Sequence, residues 1–199
     1  MKTTSSPFKG LSKPSLAFLT IVVLLAIGYI SSFVFFKNNG ENYIIREHIE
    51  ALSVQKLPYT IELDQLNERI PEKIYGWAYS EEWGSWTLGG KTILAFKLED
   101  HYRGQEVEIE IDLVHQHIQK DKPLIVEPTI NGNNFEAWVF NEGSSQTKLL
   151  QTQVPENEAM VSITFDITNF SSPADNWAGG DRRPLGIGIR QITCRSIKD

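Results

Sequence analysis

The pattern of apolar and polar positions changes character twice along this chain. Between Lys13 and Lys37 there is no charged residue, and Leu16 to Phe36 forms an apolar run of 21 residues. As a helix rising about 1.5 Å per residue it covers about 32 Å, matching a bilayer core of about 30 Å. Ala26-Ile27-Gly28 imitates a signal-peptide cleavage site. The apolar stretch nevertheless continues through Phe36, beyond the roughly 7–15 residues of a signal sequence. The expectation is therefore one uncleaved transmembrane helix at 16–36. Residues 41–54 then place Ile44, Ile45, His48, Ile49 and Leu52 at helical spacing, which predicts a short amphipathic juxtamembrane helix ending before Pro58. Its first reading is a spacer packed against the base of the following domain, and its second a partner-docking or dimerising helix.

After Pro58 the period becomes two. Tyr59, Ile61 and Leu63 alternate with polar residues, and Val107, Ile109, Ile111 and Leu113 alternate with Glu106, Glu108, Glu110 and Asp112. These are half-buried strands. Further strands are expected at 92–98, 124–130, 135–140, 148–154, 160–167 and 185–197, with a turn at Gly89-Gly90. Asn131-Gly132-Asn133-Asn134 is a hairpin signal, because Asn and Gly tolerate positive φ. Short strands with little helix predict an all-β fold, an antiparallel β-sandwich of jelly-roll type over 57–199. A domain of that size buries roughly two-thirds of its unfolded surface and needs no disulfide.

Charge fixes the expected orientation. Lys2, Lys9 and Lys13 precede the apolar run, while all 25 acidic residues follow it. The positive-inside rule places 1–15 in the cytoplasm, with 37–56 as juxtamembrane helix and linker and 57–199 outside. The net charge of −6 and pI near 5.3 argue against nucleic-acid binding, which depends on clustered Lys and Arg. One cysteine excludes an intrachain disulfide or a multi-cysteine zinc site.

Four stretches carry a resemblance: Tyr59 to Asp64; Gly76-Trp77 with Glu81-Glu82-Trp83-Gly84 and Trp86-Thr87; Asn131-Gly132; and Asp181-Arg182-Arg183 with Leu185-Gly186 and Gly188. From about residue 57 the chain resembles the C-terminal β-sandwich domain of bacterial membrane-bound phosphoglycerol transferases, which decorate osmoregulated periplasmic glucans. Similar domains are appended to envelope glycosyltransferases. In those enzymes a separate alkaline-phosphatase-like domain carries the nucleophile and metal ligands, and this sequence has no room for it. The resemblance therefore implies a tethered accessory domain in the bacterial inner membrane, facing the periplasm, with an envelope glycan and an inner-membrane transferase as partners and no cofactor.

Trp77, Trp83 and Trp86 lie close together, with Trp138 and Trp177 elsewhere. Sugar rings stack on indoles, and carboxylates or guanidinium groups hold their hydroxyls in two-pronged fashion. The candidate glycan-binding residues are Trp83 and Trp177, in expected loops, with Glu81, Glu82, Asp181, Arg182 and Arg183. Trp86, in a short strand, is expected in the core. The arginines have two readings: a holder for an anionic glycan, or a brace to Glu81 or Glu82. His115 and His117, two apart on a strand, share a face, but no third metal ligand has recognisable spacing. Asp166, Asp175 and Asp181 could furnish oxygens to calcium, without a calcium-loop motif. Cys194 is expected as a core thiol, and Asn169-Phe170-Ser171 is a glycosylation sequon only in a eukaryotic host.

No nucleophile elbow, phosphate-cradling loop or zinc-protease helix is present. The leading expectation is a non-catalytic, membrane-anchored sandwich that binds glycan or supports an envelope glycan-modifying enzyme. The alternatives are a protein-interaction subunit of a membrane complex and a small enzyme acting on envelope polysaccharide.

Overall fold

The computed structural model describes residues 47–66, 69–119, 121–176 and 180–197, together with Val22 and Leu25. The expected membrane helix, apart from those two residues, lies outside them. Among the described residues no helix is long and apolar enough to cross a membrane.

The strands are β1 (Val54–Gln55), β2 (Tyr59–Glu62), β3 (Lys73–Tyr75), β4 (Trp77–Glu81), β5 (Gly84–Leu88), β6 (Gly90–Leu98), β7 (Glu106–Gln116), β8 (Leu124–Ile130), β9 (Asn133–Asn134), β10 (Trp138–Phe140), β11 (Gln146–Gln153), β12 (Met160–Thr168) and β13 (Leu185–Ser196). They form two sheets. One runs β1-β6-β12-β8-β10, with β3 also on β6 and β9 on β8; the other runs β11-β7-β13-β5-β4, with β2 also on β13. β5 pairs with β13, β6 with β12, β7 with β11 and β8 with β10, all antiparallel. The chain is thus one long hairpin wound on itself, the connectivity of a jelly roll. Its tip is the expected turn, where Ile130 pairs with Asn133 and Asn131 and Gly132 adopt φ of 50° and 81°. Two consecutive positive φ values match the twist of flanking strands.

The inner faces follow from the period of two. Val107, Ile109, Ile111 and Leu113 of β7 are fully buried against Leu124, Val126 and Ile130 of β8 and Ile163 and Phe165 of β12, all in one core cluster. The polar side of β7 faces out, where Glu110 meets Arg195 at 2.6 Å and Asp112 meets Arg190 at 3.4 Å. Such exposed pairs contribute about 0–1 kcal/mol each, so the sandwich is held together chiefly by its buried apolar surface.

The expected helix at 41–54 is cut short. Residues 47–50 are helical, Leu52 is buried, and Val54–Gln55 leaves the helical path to pair in parallel with Lys97 and Leu98 of β6. The open edge of β6 offers those backbone groups hydrogen-bond partners, and the sheet begins ahead of residue 57. Residues 41–46 lie outside the described part.

Ile163→Ala, at a site with no exposed surface, is expected to lower unfolding free energy by about 2–5 kcal/mol. Leu149→Ala, 58% exposed on the edge strand β11, should change it by no more than about 0.5 kcal/mol. Urea titrations of both variants check this.

Candidate functional site

The site grows from an irregularity in β7. Strict alternation beyond Leu113 would turn His115 and His117 inward. Pairing with β13 instead passes from Gly188 opposite His115 to Ile189 opposite Leu113, leaving Val114 as an extra residue. This bulge exchanges the two faces of the strand. Val114 and Gln116 become buried, while His115 is exposed and His117 half-buried on the outer face.

Trp86 occupies the same outer face. Its neighbours Ser85 and Thr87 are the inward residues of β5 and have no exposed surface. Thr87 Oγ1 accepts from the Ile187 amide at 2.9 Å and lies 3.1 Å from the Ile187 carbonyl, to which it donates. It therefore serves the irregular backbone of β13, and the expectation that Trp86 is core is corrected. Two hydroxyl residues hold the inner positions on either side, so the half-buried indole falls outside. Trp86, Gly188 and His115 are cross-strand neighbours on β5, β13 and β7.

Gly188 leaves a gap in that row, and Trp83 fills it. A Cβ at Gly188 would lie 2.8 Å from the Cη2 and Cζ3 atoms of Trp83 and 3.0 Å from the Cβ of His115. Trp83 sits at the turn between β4 and β5. Its ring meets Trp86 at 5.2 Å and 77°, and His115 at 4.5 Å and 86°. Trp86 and His115 lie 28° from parallel, 5.8 Å apart, and His117 abuts Trp86 at 6.3 Å. The result is a corner of rings at right angles rather than one flat platform.

Charged groups clamp this corner. Trp83 Nε1 donates to Glu81 Oε2 at 2.9 Å, and Arg183 Nη2 reaches Glu81 Oε1 at 3.5 Å. Arg183 also donates to both oxygens of Asp181, the shortest contact being 2.7 Å. The arginine is thus a brace between the loop before β13 and the β4–β5 hairpin. Hydrogen bonds from the Arg183 side chain and backbone hold the Asp181 carboxyl down to about 2.

The structure therefore brings Trp83, Glu81, Asp181 and Arg183 together. Glu82 is exposed at the turn, and Arg182 is exposed and makes no ion pair with another described residue. Trp177 lies outside the described residues, and so does the side chain of Asp175. Trp86, His115 and His117 were missed as members of this site, because their faces are set by the register with β13 and by the inner positions of Ser85 and Thr87. Among the described residues no group of three or more His, Cys, Asp or Glu is placed to hold a metal ion. Cys194 is buried in β13, where burial pushes its thiol up to about 12.

Gly188→Ala should displace the Trp83 indole, reducing near-ultraviolet circular dichroism while the far-ultraviolet sheet signal persists. Asp181, ordinarily near 3.9, should titrate at about 2. Because the folded value is depressed, its contribution to stability is present above about pH 4 and is lost as pH falls toward 2. Arg183→Met should return its carbon resonance titration to about 3.9.

No family model and no curated protein match this chain. Among solved structures it is similar to a family GH115 4-O-methyl-α-glucuronidase with specificity for decorated arabinogalactans, at 12% identity and a TM-score of 0.42, covering 73% of this chain and 18% of that one. It is similar to a family 35 carbohydrate binding module from an environmental isolate, at 8% identity and a TM-score of 0.38, covering 70% and 93%. A third likeness is to the CBM36-1 domain of a multidomain xylanase from the hindgut metagenome of Trinervitermes trinervoides, at 11% identity and a TM-score of 0.35, covering 73% and 90%. At these scores the likenesses carry no conclusion about a ligand, and they give no link to phosphoglycerol transferases.

Proposed function

We propose that this chain is a membrane-anchored glycan-binding β-sandwich, held in a bacterial inner membrane by residues 16–36, with residues after 37 in the periplasm. Support for the anchor is the uncharged 21-residue run preceded by Lys2, Lys9 and Lys13. The observation that carries glycan binding is the ring corner of Trp83, Trp86 and His115, clamped by Glu81 and Arg183 on the outer face of a rigid sheet. Indole and imidazole faces accept the C–H face of a pyranose, the neighbouring carboxylates accept hydrogen bonds from its hydroxyls, and the guanidinium donates to them.

Binding rather than bond cleavage suits the acids at this corner. Both oxygens of Glu81 are engaged, and Asp181 is held ionised far below neutral pH. A general acid or base needs a pKa nearer the working pH and a free path to the proton it moves.

The test is an array of neutral and phosphoglycerol-bearing periplasmic glucans, probed with the full chain in a detergent that lacks a sugar head group. Saturable binding is expected, weakened by Trp83→Ala by about 2 kcal/mol or more, roughly thirtyfold in Kd, with the fold intact by circular dichroism. Glycan binding indifferent to Trp83→Ala and Trp86→Ala would remove the corner from the reading.

A further inference from the structure

A second feature lies where the chain crosses from one sheet to the other between β3 and β4. A cleft of about 860 Å³ opens there, lined in part by Arg69, Lys73, Tyr75, Trp77, Tyr79 and Arg183. Tyr79 is 92% exposed and Tyr75 45% exposed. Trp77 is half-buried, fixed by its Nε1 donating to the Ile93 carbonyl at 2.9 Å. Among the described residues the wall holds three cations and no carboxylate, in a protein whose net charge is −6.

Lys73 is the distinctive member. Its ammonium donates to the Ala78 carbonyl at 2.6 Å and to Ser85 Oγ at 2.9 Å, which fix its position. The third donor has only a long 3.4 Å contact to Ser80 Oγ. Each of these partners is neutral, so among the described residues a partly desolvated charge stands without a counter-ion. Trp77 lies 5.7 Å away, ring centroid to Nζ. Arg183 is already braced to Asp181 and Glu81, and Arg69 bonds to His48. The remaining titratable groups in the wall are Tyr75 and Tyr79. Glu72, next to Lys73 in sequence, accepts from the Tyr59 hydroxyl instead.

We infer that this cleft is a saccharide subsite for an anionic substituent, a carboxylate or a phosphate ester, which meets Lys73 while Tyr75, Trp77 and Tyr79 flank the sugar ring. The inference rests on the reading of the domain as a glycan binder and narrows its ligand to a charged glycan. The residues it assigns to the ligand, Lys73, Tyr75, Trp77 and Tyr79, are distinct from Trp83, Trp86 and His115, while Arg183 borders both sites. A donor fixed by two buried acceptors, with one bond to give, suits a charge-assisted hydrogen bond.

The experiment titrates the full chain with glucose, glucuronate, glucose 6-phosphate and inorganic phosphate, followed by calorimetry. At pH 7 glucuronate or glucose 6-phosphate is expected to bind about ten- to hundredfold more tightly than glucose, the range of a hydrogen bond to a charged group; the two arms separate carboxylate from phosphate. Lys73→Met should abolish the preference, and Tyr79→Ala, at an exposed position, should weaken all sugars. Burial lowers the Lys73 ammonium to about 8. The preference should therefore fade as pH rises through about 8 in the native chain and persist in Lys73→Arg. Equal affinity for glucose and the charged sugars, or a preference that survives Lys73→Met, overturns the inference. Inorganic phosphate binding as tightly as glucose 6-phosphate overturns its saccharide part. Neutral-glucan binding through Trp83 without any charge preference leaves the corner standing and the cleft refuted; a Lys73-dependent preference with no effect of Trp83→Ala does the reverse.

Discussion

The outer face of the six-stranded sheet owes its two imidazoles to one extra residue, Val114, in a strand whose alternation is otherwise strict. Side chains on a strand change face at every step, so a single insertion redirects everything beyond it. Without it, two imidazoles would enter a core of Ile, Leu and Val, where unpaired polar atoms are costly. With it, His115 and His117 join Trp86 outside, opposite a glycine whose missing side chain admits Trp83. The partner strand absorbs the slip at once: between Ile189 and Gln191 it carries the extra residue Arg190 opposite the step from Leu113 to Asp112. Normal pairing then resumes along the long strand.

The clamp extends the same logic from backbone to side chains. Trp83 leans on Gly188 and Trp86, Glu81 takes its indole N–H, and Arg183 ties Glu81 to Asp181. A hairpin tip and a loop that are distant in sequence are joined by one guanidinium, whose planar fork suits two carboxylates. Side chains ordered in this way before a ligand arrives lose less freedom on binding. The cleft at Lys73 is built on the other end of the same β4 strand, so the two surfaces share a scaffold while using different chemistry.

Much of the fold was legible because its signals are local. The apolar alternation of Val107 to Leu113 and the Asn131-Gly132 turn each determine their own conformation, and the strands at 124–130, 160–167 and 185–197 follow from composition and spacing. Trp83 with Glu81, Asp181 and Arg183 also followed from residue type, and so did the brace. What escaped depends on partners. Trp86 was expected inside because aromatics dominate cores, yet Ser85 and Thr87 take the inner positions to serve backbone atoms of neighbouring strands. The faces of His115 and His117 depend on a register set by β13, and the early end of the helix before Val54 depends on the open edge of β6. Lys73 carried no sequence signal, since its set of neutral partners exists only once β3, β4 and β5 are assembled.

The most direct measurement follows the five tryptophan indole N–H resonances of the full chain during titration with a periplasmic glucan. The account predicts saturable movement of the Trp83 and Trp86 signals with one common Kd, while the signal of Trp138, 7% exposed in the core, stays fixed. Saturation of binding with the Trp83 and Trp86 signals unmoved would contradict it.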